Sequence, residues 1–192
     1  MKLRDAGSLV GIDAPARSQR YAAMRISWVL VVTLLSAFSF SLGCGKKKEI
    51  TSLQRKEAAT LVSEADFAIT LRDYKRAEGL LTKATSLASD NASYWIALGT
   101  VRVRLGQRET AKTAYQRGLK ELEDFVAANK TDVSAVLEQV SALALLGRVN
   151  EARAFLEKLP ARFPGNSQVR SFIERKQLDQ MIADPKFKEI AL

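Results

Sequence analysis

Asn91-Ala92-Ser93-Tyr94-Trp95-Ile96-Ala97-Leu98-Gly99 opens the stretch that decides the fold, which continues through Leu105-Gly106 to Ala111, Tyr115, Gly118 and Leu119. The spacing is that of two short helices packed as a hairpin. A small residue on the first helix is expected to face a small residue on the second, so that the axes approach while Trp95, Leu98 and Tyr115 fill the flanks.

Working outward, the same pattern recurs. Ala65, Ala77, Leu81 and Ala84 correspond to Gly99, Ala111, Tyr115 and Gly118, each 34 residues further on. A third copy carries Leu146-Gly147, Ala152, Leu156 and Pro164, offset by 41 residues from the second. The seven extra residues are two helical turns and fit a longer second helix through Tyr115, Leu119, Leu122 and Val126. An isolated hairpin cannot bury both of its apolar faces, so neighbouring copies must stack.

Period, small residues and aromatic placement resemble the tetratricopeptide repeat (TPR) family, most closely at Trp95, Leu98, Gly99, Gly106, Ala111, Tyr115 and Gly118. Arg102 stands where that family usually has tyrosine, and Val140 replaces the small residue seen at Ala65 and Gly99, so the third pair should pack further apart. The resemblance implies an all-α, right-handed α-α superhelix of about three hairpins with a C-terminal capping helix. Helices are predicted over 52–71, 74–88, 92–105, 108–129, 133–146 and 149–159. Pro160 and Pro164 are expected to end or kink the sixth, and Asn166 to open a further helix through Val169, Phe172, Ile173 and Leu178. Asp184-Pro185 should start a terminal turn with Phe187 and Ile190. The array then spans 52–166, with repeats at about 58–91, 92–125 and 133–166, and residues 167–192 cap the exposed end of the stack.

Ahead of the array, Met24-Arg25 leads an apolar run from Ile26 to Leu42 that finishes in Ser41-Leu42-Gly43-Cys44. This resembles a bacterial lipoprotein signal, which implies a signal peptide at 24–43, lipidation of Cys44 and a polar tether at 44–51. An uncleaved transmembrane anchor is the competing reading. Residues 1–23 are either a non-native extension preceding a start at Met24 or a genuine amino-terminal segment. Gly45, in place of aspartate after the cysteine, fits sorting to the outer membrane, facing the periplasm.

Composition narrows the chemistry. The chain of 192 residues has no histidine and one cysteine, Cys44, which excludes Cys/His zinc sites, Ser-His-Asp and Cys-His nucleophile systems and intramolecular disulfides. No constellation of Lys, Tyr and carboxylates stands out, so the expectation is a non-enzyme with no cofactor, no metal and no small-molecule substrate. The formal charge of +9 would raise nucleic acid as a partner. Export disposes of that: beyond residue 44 basic residues number 25 against 19 acidic ones, spread along helical faces.

In arrays of this kind the first helix of each pair lines the concave side. By register that side presents Val62, Asp66, Ile69 and Thr70, then Ile96, Thr100, Val103 and Arg104, then Leu137, Ser141, Ala144 and Leu145. This apolar stripe suits a helix or extended peptide of another envelope protein, with Arg104 orienting it. It is equally readable as core, or as a surface covered by the C-terminal helix. TPRs that clamp a carboxyl-terminal peptide use Lys, Asn and Arg where this chain has Val62, Asp66, Ala97 and Ser134, so chaperone-tail binding is not expected. The sequence therefore points to a membrane-anchored lipoprotein scaffold for protein-protein interaction in the cell envelope, of the assembly or secretion type. The alternative is an envelope structural protein that binds peptidoglycan or anionic glycan through basic helix faces.

Overall fold

The computed structural model describes residues 49–192; the expectations for the amino-terminal segment, the signal peptide and Cys44 lie outside the described residues. Six helices form three consecutive pairs: α1 (Ser52–Thr70) with α2 (Tyr74–Leu87), α3 (Ala92–Arg104) with α4 (Arg108–Ala128), and α5 (Val133–Leu145) with α6 (Val149–Arg162). Each packs mainly on its neighbours in sequence, as a stacked array does.

Local chemistry sets the ends. Thr51 and Gln54 form a reciprocal capping box before α1, and Asp73, Asn91 and Asp132 each accept a backbone N–H of the first turn of α2, α3 and α5. Inside every pair the turn is the same. Arg72, Gly106 and Gly147 take φ values of 60°, 76° and 71°, and the following residues Asp73, Gln107 and Arg148 donate back to Ala68, Arg102 and Leu143. Glycine supplies that conformation without a Cβ penalty at two of the three turns; the first uses arginine.

The joint within each pair differs from the small-on-small expectation. A Cβ built at Gly99 would first meet the ring of Tyr115, at 2.5 Å from Cδ1 and Cε1. One at Gly118 would meet Ile96 Cγ1 at 2.9 Å and the Ala92 carbonyl at 3.2 Å. Each small residue thus receives a large one from the opposite helix. The corresponding combinations are Ala65 with Leu81 and Val140 with Leu156, members of the same cores. Where the second-helix residue is an aromatic ring the first helix offers glycine; where it is leucine, alanine fits.

Val140 is larger than either, and the third pair is the more loosely packed. Helix α4 has 21 residues against 14 in α2, and its extra turns bury Leu119, Leu122 and Val126 in the core shared with α5. Between the far half of α4 and α6 an open groove of about 890 Å³ remains, floored by Leu119, Leu143 and Phe155. Arg102 sits on the seam between pairs: its Nε lies 3.4 Å from Glu78 Oε1 of α2 and its Nη1 donates to the Thr110 carbonyl at 3.2 Å.

Two expectations are corrected. Pro160 does not end α6, which runs on to Arg162. Proline so near the end removes only one ladder bond, and Leu159, 1% exposed in the core, holds the turn in place. The helix opened by Asn166 does not run unbroken past Leu178. It divides into α7 (Ser167–Glu174) and α8 (Gln177–Ala183) at Lys176, whose φ of 51° turns the chain. That turn lets Val169 of α7 and Leu178 of α8 both bury in the core that holds Val136 and Val140 of the third pair. A last single turn, α9 (Pro185–Lys188), follows, with Pro185 at its first position and the Asp184 side chain accepting from Lys186 N–H.

Candidate functional site

The three first helices carry the predicted stripe on one side of the array, and the structure divides it in two. On α1, Asp66 and Thr70 are exposed, Ile69 is half-buried against Ala68 and Leu81, and Phe67 and Leu71 stand 61% exposed beside them. Among the described residues nothing covers this part.

Over the second and third pairs the stripe is occupied. The chain beyond α8 does not stop at the end of the stack, where a cap was expected; it runs back as a strap, residues 184–192, across α5 and α3. Val103, Ala111, Tyr115 and Leu145 form a buried floor, and Phe187, Ile190 and Leu192 lie on it, half-buried, with Ile96 and Leu146 at its sides. Leu137 is half-buried in the larger core with Met181, Ile182 and Phe187. Ser141 is half-buried and donates weakly to the Leu137 carbonyl at 3.5 Å. Val103 and Leu145 are therefore floor, not free binding surface.

The polar contacts of this seat are few and specific. Tyr115 Oη donates to the Ile190 carbonyl at 2.7 Å, and Thr100 Oγ1 lies 3.2 Å from the same hydroxyl. Leu192 N–H donates to the Leu145 carbonyl at 2.9 Å. Arg104 Nη1 reaches Glu189 Oε2 at 3.4 Å and Tyr74 Oη at 3.2 Å, with its guanidinium 5.5 Å from the Tyr74 ring centre. Burial pushes the Tyr115 phenol above its ordinary pKa, only partly opposed by the Thr100 hydrogen bond and the Arg104 charge. It is a neutral donor at any physiological pH.

The structure brings Ile96, Thr100, Val103 and Arg104 to the seat together with Tyr115, Tyr74 and the strap. The apolar spacing of Phe187, Ile190 and Leu192 was the available signal for the strap. Trp95 is a packing residue: its Nε1 ties the preceding loop by donating to the Ser89 carbonyl at 2.9 Å. Among the described residues, no group of three or more His, Cys, Asp or Glu could hold a metal ion, and no helix is long and apolar enough to cross a membrane.

Residues 92–121, which span α3 and the first part of α4, match the tetratricopeptide repeat family. No curated protein matches the chain in sequence. Among solved structures, it is similar to the first TPR of Spaghetti (RPAP3) bound to the HSP90 peptide SRMEEVD, with 18% identity, a TM-score of 0.40, and 68% of this chain and 96% of that chain covered. It is also similar to the TPR domain of Arabidopsis OM64, with 19% identity, a TM-score of 0.39, and 66% of this chain and 98% of that chain covered. The matched segment is the hairpin whose first helix supplies Ile96, Thr100, Val103 and Arg104 to the seat.

Proposed function

We propose that this protein is a lipid-anchored scaffold of a bacterial cell envelope that holds a segment of another envelope protein on its first-helix face. One observation carries the binding half of this reading: that face already holds a peptide, the chain's own strap, through apolar contacts and main-chain hydrogen bonds. The continuation on α1, exposed among the described residues, with Ile69, Phe67 and Leu71 flanked by Asp66 and Thr70, extends the surface for a longer partner.

Asp66 lies where a peptide-clamping TPR would present a polar or cationic group, so an acidic chaperone tail is disfavoured by like charge. Purification of the full chain from solubilised envelopes, comparing wild type with Asp66→Arg and Thr70→Arg, tests the face. Both residues are exposed, so the fold should survive while co-purifying proteins are lost; an unchanged set removes this face from the scaffold role.

The anchoring half rests on the sequence at Gly43-Cys44. Several acyl chains on Cys44, at about 0.8 kcal/mol per buried methylene, would hold the array at a membrane, by the Gly45 rule the outer one. Cys44→Ala should release the protein from membranes and abolish labelling by palmitate. Retention of both would refute lipidation.

A further inference from the structure

The strap rests on the same face as the proposed partner, and its contacts say what else would fit there. We propose that residues 185–192 are a resident pseudo-ligand, exchanged for a partner segment of the same chemistry: a large apolar residue, an aliphatic residue three places on, another two places after that, and a carboxylate just before the middle one. This deepens the reading of the first-helix face and rests on it.

Recognition in the seat is directed at main chain. Tyr115 Oη binds the Ile190 carbonyl and the Leu145 carbonyl binds the Leu192 N–H, so neither bond depends on a side chain of the strap. Any segment that places apolar groups at the positions of Phe187, Ile190 and Leu192 can make both. Among the described residues Arg104 makes the charged contact to a strap side chain, Glu189, which is 61% exposed and 3.4 Å away; it favours an acidic residue there.

Burial is unequal across the contact. The floor residues Ala111, Tyr115, Leu145 and Val103 are 0%, 0%, 6% and 9% exposed, whereas α9 contributes no buried residue. Loss of the strap would wet the floor together with Phe187, Ile190 and Leu192, so the floor favours having an occupant. A partner with the same spacing that also continued onto Ile69 and Phe67 would cover more apolar surface than the strap does, and would displace it. Gly147 permits close approach: a Cβ there would stand 2.8 Å from the Leu192 carbonyl oxygen.

The test uses the full chain and a labelled peptide of residues 184–192. Phe187→Asp combined with Ile190→Asp should release the strap, and that variant should bind the peptide at least tenfold tighter than wild type in fluorescence anisotropy. The same peptide carrying Ile190→Asp should not bind. Should the double variant lose its helical circular dichroism, Glu189→Lys, an exposed change that only repels Arg104, takes its place with an expected gain of about threefold. Peptide affinity equal to that of wild type in a folded variant overturns the proposal. No envelope partner enters this measurement, so its failure leaves the scaffold reading to the co-purification outcome at Asp66 and Thr70, and the reverse holds.

Discussion

Gly99→Ala isolates the rule that sets the spacing within each pair. The added methyl would stand 2.5 Å from Cδ1 and Cε1 of Tyr115, about 1 Å inside normal carbon contact. The ring has nowhere to go: it is 0% exposed, and its hydroxyl is held by the Ile190 carbonyl at 2.7 Å. Overpacking of this kind costs about 1–3 kcal/mol, and the better helix propensity of alanine returns roughly 1 kcal/mol. The net expectation is a loss of about 0–2 kcal/mol. Tyr115→Leu alone leaves a void beside Gly99 and should cost about 2–3 kcal/mol. The double variant Gly99→Ala/Tyr115→Leu recreates the Ala65 and Leu81 combination of the first pair, so it should be at least about 1 kcal/mol more stable than the two single losses predict. Urea unfolding of the four proteins, followed by far-UV circular dichroism, measures this coupling. Additivity within about 0.5 kcal/mol would refute the large-into-small account of the joint.

Arg72→Gly should stabilise the array by about 0.5 kcal/mol, because glycine removes the left-handed penalty at φ 60° while losing some unfolded-state entropy; a lowered urea midpoint would contradict this. Gly147→Ala and Gly106→Ala share the positive-φ cost of about 1–2 kcal/mol, yet only the Gly147 methyl meets the Leu192 carbonyl, so hydrogen exchange at residues 186–192 should accelerate in the first variant and not in the second. Tyr115 has a folded-state pKa raised above its unfolded value near ~10, so its contribution is complete below that pH and is lost as pH rises through the folded pKa. In a spectrophotometric titration Tyr115 should ionise after an ordinary tyrosine, with strap release at the same step, and Tyr115→Phe should remove both the late titration and the pH dependence of strap exchange.

The hairpins were legible because their signals are local and repeated. The positions of Ala65, Gly99, Ala77 and Ala111 fix the register, and Gly106 and Gly147 mark turns that only a positive φ can close. The first turn hides its geometry behind Arg72, but the spacing carries it. The length of α4 could be read from Leu119, Leu122 and Val126, a helical stripe with no break. Pro160 misled because its rule concerns helix interiors, and here one missing bond is outweighed by the burial of Leu159. The break at Lys176 carries no glycine or proline. It follows from where Val169 and Leu178 must both be buried, which is a tertiary demand. The strap was half legible: its spacing declares three apolar residues on one side of a short segment. Nothing in that spacing says which surface they meet, and the choice is made by Tyr115 and the Leu145 carbonyl, far away in sequence.

Tyr115 joins the two levels of this molecule. Its ring is a packing element, seated against Gly99 to close the central hairpin; Leu81 does the same work in the first pair without a polar atom. The hydroxyl is what leucine cannot supply. In a buried position it must find a partner, since an orphaned donor costs about 1–3 kcal/mol, and the Ile190 carbonyl is the close one. Thr100 Oγ1, at 3.2 Å, is the other partner within reach, so on the proposed exchange a segment that brings a main-chain carbonyl to that point gains the shorter bond. On the proposed exchange a largely apolar stripe would discriminate in two ways: apolar contacts would set how tightly a segment is held, while the tyrosine hydroxyl and Arg104 would fix its register and its charge.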